Sequence, residues 1–137
     1  MTIFSRVTCG LILLLFASFL LVLCSFFPTQ EEVYAINSAA AKLAKSSVAK
    51  FLEKNPGKGP RFVAGAIGPT NKTLSVSPSV ENPAIRGCTY DEVVDAYHKQ
   101  IAALYDGGVD LFLVETIFDT LNAKAAIFAL EKFFADK

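Results

Sequence analysis

Two short, almost uncharged, β-prone runs constrain this chain more than anything else in its sequence: Arg61-Phe62-Val63-Ala64-Gly65-Ala66-Ile67 and Val109 to Val114. A strand with one face in water alternates apolar and polar residues. These runs do not alternate, so they predict strands buried on both faces, as in a parallel sheet covered by helices. Helical patterns flank them. Val33, Ile36, Ala40, Leu43 and Phe51 recur mostly at three- and four-residue steps among Lys42, Lys45 and Lys50, predicting an amphipathic helix over 32–54 with those residues as its buried stripe. Asn55-Pro56-Gly57-Lys58-Gly59-Pro60 ends it, because neither a helix nor a central strand tolerates that run of breakers.

Residues 68–88 hold no period and carry Pro69, Pro78 and Pro83, so they predict a long loop, a feature that is usually functional in a compact domain. Helical signals resume at Thr89, where Glu92 three positions on completes a capping box. Val93, Val94, Tyr97, Ile101 and Leu104 form the next stripe, and Gly107-Gly108 ends it. After the second strand, Asp119 is placed to cap a last helix reaching about Ala135, packed through Leu121, Ala125 and Phe128.

The order helix, strand, long loop, helix, strand, helix is α/β. Both strands run into polar residues, Gly68-Pro69-Thr70-Asn71 and Glu115-Thr116, as at the catalytic face of a (β/α)8 TIM barrel. A full barrel takes eight strands and about 250 residues. Two parallel strands and three helices are a partial barrel with open edges and marginal independent stability.

Residues 1–30 are a different object, with 20 apolar residues and one charge, Arg6. The run 7–27, taken as a helix, is about 30 Å long and predicts an apolar N-terminal helix able to insert in a membrane. Arg6 before it and Glu31 and Glu32 after it would leave the N-terminus cytosolic. A signal peptide, a buried core helix and a misjudged start of the coding sequence are the alternatives. The expected division is therefore an anchor- or signal-like segment at 1–30 and a partial barrel domain at 31–137. The 13 basic and 13 acidic residues of the whole chain cancel, which argues against a nucleic-acid binder held by bulk charge.

The run from Arg61 to Thr73, then Ser77-Pro78-Ser79-Val80, Gly107-Gly108-Val109-Asp110, and Val114-Glu115-Thr116-Ile117-Phe118-Asp119-Thr120-Leu121-Asn122-Ala123-Lys124-Ala125-Ala126 resemble the homocysteine-binding domain of cobalamin-dependent methionine synthase. The resemblance runs from about Tyr34 to about Phe134. It implies a barrel in which zinc holds homocysteine as its thiolate for methyl transfer from methylcobalamin, carried by a cobalamin-binding domain of a longer product. A metal at the sulfur removes the thiol proton and keeps the nucleophile ready. It also implies a cytoplasmic protein, whereas the apolar segment, if genuine, implies a membrane one.

The family's zinc ligands are three cysteines near the end of the barrel, and this chain's three do not replace them. Cys9 and Cys24, on one helix, would stand about 22 Å apart, and Cys88 is alone and is expected to be a half-buried side chain without chemistry. Neither zinc nor methylcobalamin is expected to bind this chain by itself. The resemblance places a carboxylate at Glu115 to bind the substrate ammonium, and it places Gly68 and Asn71 in the loop that approaches the ligand. From the residues alone, Glu115 reads as an acidic side chain past a buried strand, open to pairing with Lys or Arg, and Gly68 and Asn71 read as turn residues. Asn71-Lys72-Thr73 is also a glycosylation sequon, but only if the segment before residue 30 carries this loop out of the cytosol, and the two readings of Asn71 exclude each other. His98 is expected to be a solvated helix residue.

Two functions follow. One is a fragment of a methionine synthase homocysteine-binding domain, incapable of methylating homocysteine alone. The other is a membrane-anchored, catalytically inactive remnant serving as a binding module. Other enzyme chemistry finds no support, since there is no Ser-His-Asp or Cys-His arrangement and no phosphate-cradling glycine loop.

Overall fold

A computed structural model describes residues 30–137. In chain order the elements are α1 (Gln30–Lys54), β1 (Ala64–Ile67), α2 (Tyr90–Asp106), β2 (Leu111–Val114) and α3 (Thr120–Ala135). The expected α/β order is therefore present. The apolar helix expected at 7–27 lies outside the described residues. No helix among the described residues is long and apolar enough to cross a membrane.

β1 and β2 pair in parallel, from Ala64 beside Leu111 to Ile67 beside Val114. Both are shorter than expected because the Asp110 side chain occupies the Val63 amide where pairing would begin. The Asp110 carboxylate accepts from the Val63 amide at 2.7 Å, and the Val63 carbonyl accepts from the Asp110 amide at 2.8 Å. Asp110 also forms an ion pair with Lys45 of α1 at 2.7 Å, and the Lys45 and Val63 hydrogen bonds hold its carboxyl below the usual range. β1 is buried on both faces as expected. β2 is not: Leu111 is exposed and Phe112, Leu113 and Val114 are half-buried. In the described residues β2 has β1 on one side and no strand on the other.

α2 is the centre of the packing, touching α1, α3 and β1. Its N-terminus is the capping box foreseen from the sequence. The Thr89 hydroxyl accepts from the Glu92 amide at 3.2 Å, and the Glu92 carboxylate accepts from the Thr89 amide at 2.7 Å. All five stripe residues, Val93, Val94, Tyr97, Ile101 and Leu104, are buried. The helix stops at Gly107, and Gly108 turns the chain into β2 at φ +90°, a backbone conformation that suits glycine.

α1 departs from its expected stripe. Ile36, Leu43 and Phe51 are exposed and Val33 and Ala40 are half-buried, while Asn37, Ser38, Ala41 and Ala44 form the buried face. The cause is its approach to Gly107. A Cβ added there would lie 2.4 Å from the Ala41 Cβ and 2.9 Å from the Ser38 carbonyl oxygen, a spacing open only to small residues. α3 also differs in part. Asp119 caps it and Ala125 is buried as expected, but Leu121 is half-buried and Phe128 half-exposed. Ala126, Ala129 and Phe133 complete its buried face, and Phe128 meets only the edge of the core through Tyr90, ring centroids 6.4 Å apart.

His98 is not a solvated residue. It is half-buried, its ring lies edge-on to Phe133 at 5.7 Å, and its Nε2 is buried without a hydrogen-bond partner. α3 covers the face of α2 that the sequence alone leaves open.

Candidate functional site

The parallel register brings the C-terminal ends of the strands together. Ile67 pairs with Val114, and the Glu115 amide donates to the Ile67 carbonyl at 3.0 Å, so Gly68 and Glu115 follow on adjacent chains at one rim. Glu115 is half-buried there. The next residue, Thr116, has φ +61°. That conformation is unfavourable for a β-branched residue and is typical of strained functional turns.

The loop leaving β1 is tied down by three buried polar side chains. Tyr97 of α2, fully buried, donates its hydroxyl to the Gly68 carbonyl at 2.9 Å. Burial, and then the nearby charge of Asp119, push its phenol up to about 12, so it remains a donor at any ordinary pH. Asn122 of α3 donates from Nδ2 to Thr70 Oγ1 at 3.0 Å and to the Lys72 carbonyl at 2.8 Å, and its Oδ1 accepts from the Leu74 amide at 3.0 Å. Asp119 accepts from the Leu74 amide at 2.9 Å, the Ser75 amide at 2.8 Å and the Ser75 hydroxyl at 2.7 Å, besides capping α3. Burial alone would raise the Asp119 carboxyl. The bonds from Ser75, Leu121 and Asn122 outweigh it and bring the group to about 2, so it is ionised and acceptor-only.

Of the three residues singled out from the sequence, Gly68 and Glu115 share the rim. Asn71 is exposed three residues further along the loop, between Thr70 and Lys72, which Asn122 holds. Cys88 is half-buried, and burial, followed by the Glu92 charge, pushes its thiol up, away from the reactive thiolate. Among the described residues no group of three or more His, Cys, Asp or Glu side chains stands close enough to hold a metal ion. These residues do not fit a zinc site.

Sequence reasoning missed two of the clamp's roles. Asp119 reads as a local cap and Tyr97 as one more stripe residue. The available signal was Asn122, an amide in the first turn of α3 and three positions from Asp119.

The sequence model of the homocysteine S-methyltransferase family matches residues 21–136. The chain belongs to that family. Its fold agrees with solved family structures. It superposes on the homocysteine methyltransferase MmuM from Escherichia coli in the metallated form with a TM-score of 0.65, and in the apo form with 0.59, at 22% identity in both. The matches cover 82% and 77% of this chain but only 38% and 36% of those chains. The chain thus spans somewhat over a third of the length of the family structures it resembles. The strand ends that carry Gly68 and Glu115 are part of this homocysteine S-methyltransferase segment.

Proposed function

We propose that this chain is the part of a methionine synthase homocysteine-binding barrel that grips the amino-acid end of homocysteine. In that reading Glu115 accepts the substrate ammonium in a charge-assisted contact, and Gly68 and Asn71 line the same pocket from the β1–α2 loop. The observation that carries the reading is the placement of Glu115. A half-buried glutamate sits at the C-terminal strand end, its backbone next to that of Gly68, followed by a threonine in the left-handed region. Ligands of barrel and open α/β folds bind at that edge.

Family membership supports homocysteine as the substrate, and the quoted motifs favour the cobalamin-dependent methionine synthases within the family. In that reading the methyl donor would be methylcobalamin on another domain, and zinc would supply thiolate activation. The residues described here offer no ligand set for zinc, so the role assigned to this chain is binding and orientation, without turnover by itself. The reading takes residues 31–137 as the barrel portion and places it in the cytosol.

Calorimetric titration of homocysteine into the full chain and into Glu115→Gln tests the assignment. The wild type should bind, and the variant should lose about 1.5–3 kcal/mol, at least tenfold in affinity, since a hydrogen bond to a charged group is removed. Equal affinity in the two proteins would overturn the role given to Glu115.

A further inference from the structure

The clamp on the β1–α2 loop has a pattern that helix capping does not require. Counting from the end of β1, the anchored positions are Gly68, Thr70, Lys72, Leu74 and Ser75. Asn71 lies between two of them and faces solvent. Capping α3 uses one oxygen of Asp119, Oδ1, which accepts from Leu121 and Asn122. The other, Oδ2, takes the amides of Leu74 and Ser75, more than 40 residues away in the chain. Asn122 goes further. Its side chain is buried and all of its side-chain hydrogen bonds run to the loop, none to α3. Nothing in α3 itself calls for an amide there.

We propose that Asn122, with Asp119 behind it, is a positioning residue that fixes the β1–α2 loop so that Asn71 is presented toward the substrate at the strand end beside Glu115. This rests on the binding role proposed above for Asn71 and Glu115. The amide is suited to the task because it donates and accepts at once, binding the loop on both sides of Asn71. Asp119, ionised, supplies only acceptors, and so orders the far end of the same segment.

Amide hydrogen exchange and homocysteine calorimetry on the full chain, in wild type, Asn122→Ala and Asn122→Asp, test the proposal. Asn122→Ala should speed exchange of the Leu74 amide at least tenfold while Ile101 and Ala126 stay within twofold, and should weaken homocysteine binding at least tenfold. Asn122→Asp keeps an acceptor for Leu74 and loses the donor to Lys72. It should therefore keep Leu74 protected and still bind homocysteine at least fivefold more weakly. A purely structural role would accelerate exchange at all three amides by a common factor, and that result overturns the proposal. So does unchanged Leu74 exchange in Asn122→Ala, or wild-type affinity in a variant whose loop is released. If the wild type binds no homocysteine, the reading of Glu115 falls with it, and local release of Leu74 still decides whether Asn122 holds the loop.

Discussion

The helices α1 and α2 both carry an apolar repeat, weaker in α1, yet α2 buries its stripe and α1 turns most of its own outward. Every stripe residue of α2 is buried, because β1 lies under it and α1 and α3 flank it. α1 touches α2 through Asn37, Ser38, Ala41 and Ala44, leaving Leu43 67% exposed and Ile36 and Phe51 about 40% exposed. The contrast teaches that periodicity reports a face meant to be covered and does not say by what. For α2 the partners are in this chain. For the α1 flank, as for the exposed Leu111 edge of β2, the described residues contain none, in agreement with a chain that spans little more than a third of the family structures.

The largest effect is expected in the helix with all its partners. Ile101→Ala should remove about 2–5 kcal/mol from the urea unfolding free energy, the range for emptying a fully buried aliphatic site. A loss under ~1 kcal/mol would mean that α2 is no better packed than α1. Next comes the joint between the two helices. Gly107→Ala forces a methyl group against Ala41 and the Ser38 carbonyl, and should cost about 1–3 kcal/mol, although φ at Gly107 is ordinary for any residue. A neutral result would show that α1 is held loosely against α2.

Acid should separate the two helices by a smaller margin. Asp119 anchors α3, which covers the outer side of α2, and its carboxyl ionises at about 2 in the folded chain against an ordinary 3.8. Its contribution to stability is therefore complete above pH 3.8 and is lost as the pH falls towards 2. Protection of α3 amides should fall in that window, and Asp119→Asn should flatten the profile. The smallest effect belongs to the open flank: Leu43→Gln should change stability by no more than about 0.5 kcal/mol. A loss above ~1 kcal/mol would show that the flank is covered in the full chain.

What the sequence made legible was local. The Thr89–Glu92 box, the Gly107 stop and the Asp119 cap depend on residues within one turn of each other, and all three stand where their side chains predict. The rim was legible too, since each strand passes directly from apolar residues to Gly68 or Glu115. Strand length was not, because the Asp110 carboxylate displaces ladder pairing at Val63 from 47 residues away. The small buried face of α1 was hidden for the same reason, as it depends on Gly107 lacking a Cβ. The clamp escaped notice because Asp119 has two oxygens, and only the one facing its own helix has a signature in nearby sequence.

The central claim is that the C-terminal strand rim of this chain receives homocysteine. Amide resonances of the full chain, followed during homocysteine titration, test it most directly. Saturable shifts are expected at Gly68, Asn71 and Glu115, with Ala64 and Leu111 at the opposite strand ends unmoved. Shifts confined to those opposite ends or to the exposed flank of α1, or no shifts at all, would contradict it.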